Sequence, residues 1–190
     1  MSEFVPDLEG RSNPEQHIAR RIRLIEGDIS HQYDVEALAT AIPVNLNTGG
    51  RLNRTIIDAA GQQLDEFILE NIYKPRIGDV HALPGFDLRS KYIIVAITPV
   101  WGEGTTGEDR DLLRCYRSIL EQAERMHLSS LALPLLGTGK RSFPVQRAAR
   151  LLTQAIRERF PSSLNELRIV CDRTDSCKAV AERLKIAGLA

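Results

Sequence analysis

The chain has 190 residues, 43% of them hydrophobic and 26% charged, the proportions of a globular domain with its own core rather than of a disordered chain. Its 25 Lys and Arg residues balance 25 Asp and Glu, so no basic surplus points to DNA, and no apolar run approaches the roughly 20 residues that span a bilayer. The 3 cysteines, Cys115, Cys171 and Cys177, are too sparse for a disulfide framework and read as reduced thiols of a cytoplasmic protein.

The opening residues, MSEFVPDLEGRSNPEQ, lack the charged-then-apolar order of a secretion signal. Residues 1–20 read as a polar tail with one short helix, capped by Ser12 or Asn13, with Pro14 in its first position. Residues 21–190 read as one domain in which short apolar runs alternate with longer amphipathic stretches. In chain order the pattern predicts strands at 23–26 and 37–42, helices at 53–60 and 64–71, and strands at 79–83 and 92–98. A helix at 109–126, a strand at 131–136, a helix at 144–160, a strand at 167–171 and a helix at 177–186 follow. IIVAI and LALPLL are continuous apolar runs, as expected of strands covered on both faces. Leu112, Leu113, Tyr116, Ile119 and Leu120 recur at helical spacing, with Arg110 and Arg114 on the other side, so that helix lies on a sheet. Strand–helix alternation predicts an α/β fold with a mostly parallel sheet.

Ligands of such folds bind beyond the carboxyl ends of the strands, where loops lead into helices. Two of these loops are glycine-bearing. Pro43 to Gly61 carries Gly49 and Gly50 just before a helix start, a backbone able to approach an anion closely. Leu133 to Ala149 carries Gly-Thr-Gly-Lys. A nucleotide-hydrolase phosphate loop would need Gly where Pro134 stands and Ser or Thr where Arg141 stands, so that motif is rejected. A Gly-Thr-Gly turn with Lys140 and Arg141 at a helix start still suits phosphate better than a plain turn. Asp28, directly after the first strand, is either a helix cap or an acceptor for the exocyclic amine of a base. Trp101 to Glu108 reads as a mobile glycine loop.

Together these segments resemble the macrodomain family. IEGDIS is similar to its opening strand and Gly-Asp-Ile; LNTGGRLNRTIIDAAG to its glycine-rich first loop and helix; RIGDVHALPGFDLRSKYIIVAITPVW to its middle block; and LALPLLGTGKRSFP to its second loop. The likeness runs over about residues 22 to 185. It implies a three-layer α/β/α macrodomain fold with a mixed, mostly parallel central sheet and a cleft for ADP-ribose. It implies that Asp28 accepts from the adenine amine with Ile29 beside it, and that Cys171 and Asp172 flank the base. Gly49, Gly50, Arg51 and Leu52, with Gly137, Thr138, Gly139, Lys140, Arg141, Ser142 and Phe143, would wrap the diphosphate and distal ribose. No metal and no cofactor is implied.

The departures bear on activity. Hydrolytic members carry Asn-Ala-Ala-Asn where Thr40, Ala41, Ile42 and Pro43 stand, and Gly-Gly-Gly-Val-Asp where Gly49, Gly50, Arg51, Leu52 and Asn53 stand. Their His one turn later is Ile57, and the aromatic residue of the second loop is Arg141. The expectation is a binder of ADP-ribose or of an ADP-ribosylated protein or metabolite, with poly-ADP-ribose a further candidate. The alternative is an ADP-ribosyl hydrolase, or a phosphatase of ADP-ribose derivatives, with relocated catalytic groups among Glu103, Glu108, Arg51 and Lys140. His31 and His81 are weaker acid–base candidates, since a lone His is more often structural. A thiol enzyme is disfavoured because no Cys–His pairing is readable and Cys115 reads as packing.

Overall fold

The computed structural model describes residues 13–139 and 142–190. The chain begins there with α1 (Pro14–Ala19), where the Asn13 side chain accepts from the Glu15 amide and Pro14 occupies the first turn. Ser12, the other expected cap, lies outside the described residues. Then come β1 (Ile22–Glu26), a 3-10 turn (Ile29–His31), β2 (Ala37–Ile42), α2 (Arg51–Ala60), α3 (Gln63–Asn71), β3 (Val80–Pro84) and β4 (Tyr92–Ile97). The remainder is α4 (Glu108–Arg125), β5 (Ser130–Pro134), α5 (Val145–Arg159), β6 (Glu166–Cys171) and α6 (Thr174–Ile186).

The strands form one sheet in the order β1-β6-β5-β2-β4-β3. Five are parallel, and β3 runs antiparallel on β4 at the edge. Two cores lie on its two faces. One packs α4, α5 and α6 on the sheet; the other packs α2 and α3. The expected three-layer α/β/α architecture with a mixed, mostly parallel sheet is therefore present. β2 shows how sequence sets this: Ala37, Ala39 and Ala41 face the α4/α5 side, where small residues let helices come close, while Leu38 and Ile42 fill the α2/α3 side.

Element boundaries differ from expectation where tertiary bonds decide them. The strand expected at 131–136 ends at Pro134, because proline has no N–H for a ladder and the Leu136 amide donates instead to the Tyr116 hydroxyl at 2.8 Å. Leu135 and Leu136 stay buried, so their apolar signal reflects packing rather than a strand. α6 starts at Thr174, earlier than expected, because the polar Thr174–Ser176 stretch forms its first turn. α2 starts at Arg51, immediately after Gly50.

Two charged residues are buried among the described residues, Glu108 and Arg168. Arg168, in β6 and 3% exposed, donates to both oxygens of Asp34, to both oxygens of Glu166 and to Gln32. This bolts the segment after the 3-10 turn to the sheet. The guanidinium hydrogen bond holds the Asp34 carboxyl below its ordinary range.

Candidate functional site

Because β1, β6, β5, β2 and β4 are parallel, their carboxyl ends share one edge of the sheet. Along that edge the strand order fixes the order of the loops. Asp28 follows β1, Asp172 follows β6, the Gly137–Phe143 turn follows β5, the Pro43–Gly50 loop follows β2, and the Trp101 loop follows β4. The segments expected to hold base, diphosphate and distal ribose thus lie side by side in that sequence.

Asp28 caps the 3-10 turn. Its Oδ1 accepts from the Ser30 amide at 2.8 Å and the Ser30 hydroxyl at 2.7 Å. Its Oδ2 faces His31 Nδ1 at 3.8 Å, and the side chain is 34% exposed. Both readings of Asp28 are therefore compatible: one oxygen shapes the turn and the other is open to a donor. Ile29 is buried in the α2/α3 core. Asp172 is exposed, whereas Cys171 is 2% exposed in the α4/α5/α6 core. Burial, together with the neighbouring Cys177 thiol, pushes the Cys171 thiol up to about 12. Its side chain therefore packs inward and does not flank a base at the surface.

In the first loop the Gly49 amide donates to Asn47 Oδ1 at 2.8 Å, and the Thr48 hydroxyl to Asp65 at 2.7 Å, so the turn is shaped from within. Gly50 begins α2 with no side-chain cap. The amides of that first turn, at Arg51, Leu52 and Asn53, have no intrahelical acceptor by construction, the partial positive charge of a helix start. Arg51 is exposed and Leu52 half-buried. Asn53 does not face the cleft. It is 4% exposed, its Nδ2 donates to the Ala41 carbonyl at 2.9 Å, and its Oδ1 accepts from the Thr40 hydroxyl. Ile57 is likewise buried in the α2/α3 core. Asn53, through its bonds to Thr40 and Ala41, thus holds α2 onto β2, with Ile57 packed in the same core.

In the second loop Gly137 has φ +80° and closes the turn by accepting from the Phe143 amide at 2.8 Å. A Cβ on Gly137 would come within 3.0 Å of the Phe143 ring, while one on Gly139 would meet nothing within 4 Å among the described residues. Among those residues Gly139 borders open space. Thr138 is half-buried, Ser142 exposed, and Phe143 buried. Lys140 and Arg141 lie outside the described residues. α5 opens after this turn at Pro144, again with no side-chain cap.

The Trp101–Glu108 segment, expected to be mobile, is internally bonded. Glu108 is 2% exposed; its Oε1 accepts from the Gly102 amide at 2.9 Å and its Oε2 from the Thr106 amide at 3.0 Å. These backbone donors, its own amide first among them, hold its pKa below the ordinary value. Glu108 is consequently a loop anchor, not a free acid or base at the cleft mouth. Glu103 is exposed at φ +63°. His31 is exposed, and His81 lies on the edge strand β3. Cys115 is buried, its thiol donating to the Ile97 carbonyl at 3.2 Å, as packing predicts. The roles of Glu108 and Trp101 were not identified from sequence; the only signal was three glycines around two acids, which does not say what the acids bind.

Two hollows, each of about 450 Å³, lie on the helical surfaces, one between α5 and α6 and one along α2 and α3. Neither contains Asp28, Gly137 or Gly139. Among the described residues no helix is long and apolar enough to cross a membrane, and no group of three or more His, Cys, Asp or Glu could hold a metal ion.

The Macro domain family model matches residues 40–152. A macro domain-containing protein of Methanosarcina mazei is 35% identical over 168 residues, covering 86% of this chain and 88% of its own. A Listeria monocytogenes macro domain-containing protein is 31% identical, covering 83% of this chain and 93% of its own. The solved Oceanobacillus iheyensis macrodomain with ADP is 27% identical at a TM-score of 0.78, covering 87% of this chain and 90% of that one. The Trypanosoma brucei macrodomain in complex with ADP-ribose shares the fold at a TM-score of 0.79 and 24% identity, covering 90% of this chain and 72% of that one.

Proposed function

Since the chain belongs to the macro domain family, we propose that its strand-end cleft binds ADP-ribose, free or carried by a protein or metabolite, without hydrolysing it. The observation that carries this reading is the pair of glycine turns on the neighbouring strands β2 and β5. One opens a helix with an uncapped first turn, and the other leaves Gly139 against open space. Backbone donors that cost no side-chain reorganisation suit a diphosphate whose charge is spread over many oxygens. Asp28 Oδ2 lies toward the β1 end of the same edge, where a base amine would reach it. The relatives solved with ADP and with ADP-ribose support the ligand class. Buried thiols at Cys115 and Cys171 support a reducing, cytoplasmic setting.

The non-hydrolytic part rests on Pro43 and Asn53, which stand where the resemblance expects a catalytic Asn and Asp; proline offers no side-chain hydrogen bond. An amide is a very poor base at neutral pH, and here both of its ends are already engaged inside the fold. General-base positioning supplies roughly 10²–10⁴ in rate, so its loss is measurable. Calorimetric titration with ADP-ribose, ADP, AMP and NAD tests binding, with ADP-ribose expected to bind tightest. Release of ADP-ribose from a protein carrying acidic-residue esters tests catalysis, beside an active macrodomain. Turnover comparable to that control overturns the binder reading and points to Glu103, Arg51 and Lys140 as relocated groups. No heat with ADP-ribose overturns the cleft itself.

A further inference from the structure

Trp101 is the only tryptophan of the chain and lies in the loop after β4. Its ring packs on Phe143, centroids 5.1 Å apart and tilted by 56°. The Arg147 guanidinium, in the first turn of α5, sits over the same indole at 5.0 Å. Arg147 is held in turn by Asp109 of α4, Nε to Oδ2 at 3.1 Å, and Arg150 reaches that same oxygen at 3.2 Å. On the far side, Phe143 bonds through its amide to the Gly137 carbonyl at 2.8 Å and touches the space that a Gly137 side chain would need. The loop bearing Trp101 is fixed independently by the Glu108 carboxylate. A continuous line of contacts therefore runs Asp109–Arg147–Trp101–Phe143–Gly137, from the starts of two helices to the glycine turn.

We infer that Trp101, clamped by Arg147, is a positioning residue that presets the Gly137–Gly139 turn for a diphosphate and thereby favours ligands bearing one over ligands with a single phosphate. This rests on the proposed reading of the cleft as an ADP-ribose site. A turn rich in glycine carries a large ordering cost when it closes on a ligand, and a rigid aromatic stack that orders it beforehand removes part of that cost. Trp101 acts through Phe143. The base at the Asp28 end, several strands away along the edge, is indifferent to it.

The test titrates wild type, Trp101→Ala, Trp101→Phe and Arg147→Ala with ADP-ribose, ADP and AMP by calorimetry, with thermal melts alongside. Loss of an aromatic pair and a cation–π contact is expected to weaken ADP-ribose and ADP by about tenfold in Trp101→Ala. AMP binding should change far less, Trp101→Phe should recover most of the loss, and Arg147→Ala should fall between. In wild type, ADP-ribose should perturb the Trp101 fluorescence and AMP should do so much less. Equal losses for all three ligands, or none, overturn the inference while wild-type ADP-ribose binding keeps the cleft reading intact. Absence of ADP-ribose binding by wild type overturns both. Should Trp101→Ala fail to fold, the Arg147→Ala ligand ratios and the wild-type fluorescence decide.

Discussion

Two side chains, Asp28 and Asn53, separate the proposed contact to a base from support of the fold. Asp28 uses Oδ1 for the Ser30 cap, while Oδ2 lies 3.8 Å from His31 Nδ1 on a partly exposed side chain, so the cap and the proposed base contact separate by substitution. Asp28→Asn keeps a capping oxygen but turns the outward acceptor into a donor; Asp28→Ala removes both. A hydrogen bond to a charged acceptor is worth about 1.5–3 kcal/mol, so both variants should weaken ADP-ribose by roughly one to two orders of magnitude. Only Asp28→Ala should also lose stability, by about 1 kcal/mol for the missing cap. An unchanged dissociation constant in folded Asp28→Asn removes the base assignment. Asn53 is the opposite case, a cleft-edge residue in sequence that is a core bolt in space. Asn53→Asp introduces a carboxylate, but its second oxygen would face the Ala41 carbonyl where the amide now donates. It should cost about 1–3 kcal/mol in urea unfolding and give no gain in ester hydrolysis, because the group remains turned toward β2.

At the scale of elements, the two glycines of the second turn answer to different demands. Gly137 needs a left-handed backbone and lies against Phe143, so Gly137→Ala should destabilise by about 1–2 kcal/mol whatever happens to binding. Gly139 borders open space, so Gly139→Glu should melt near wild type yet lose ADP-ribose, the carboxylate both filling the phosphate position and repelling it. A Gly139→Glu protein that binds normally would show that this turn is not the phosphate site. These contrasts also mark what the sequence makes legible. The runs IIVAI and LALPLL and the spacing of Leu112, Tyr116 and Ile119 report burial, which local pattern records, and the elements they predict are present. The order of motifs locates Asp28 and both glycine loops at strand ends. Strand order, the Trp101–Phe143 stack, the Glu108 anchor and the Arg168 network join residues far apart in the chain, and no local period encodes such pairings. Leu135 and Leu136 illustrate the limit, since an apolar run continues past Pro134 while the strand stops.

Over the whole molecule, the two cores are mostly apolar, so titration acts through a few groups spread across the layers, with Tyr116 and Cys171 inside one core. On the acid side these are carboxylates held below their ordinary values: Asp34 by Arg168, Glu108 by loop amides including its own, Glu124 by Ser162, and Glu158 by Gln154 and then Arg117. A depressed carboxyl stabilises the fold above its unfolded value, and that stabilisation is lost as pH falls through the folded value, because the unfolded chain then takes up protons first. Asp34, Glu124 and Glu158 are at least partly open to solvent, which screens them, whereas Glu108 is buried. On the alkaline side, burial raises Tyr116 and pushes Cys171 up to about 12 from its ordinary 9.0. Here the neutral form belongs to the fold, and stability is lost as pH climbs from the unfolded thiol and phenol values toward the folded ones. The urea midpoint should therefore be flat from about pH 5 to 8, fall below about pH 4, and fall again above about pH 9. Glu124→Gln should shallow the acid limb without touching the alkaline one, and Cys171→Ala should do the reverse. The measurement is a set of urea unfolding curves across pH 3 to 11 for the three proteins; a midpoint that rises on acidification, or an alkaline limb unmoved in Cys171→Ala, contradicts the assignment of these groups.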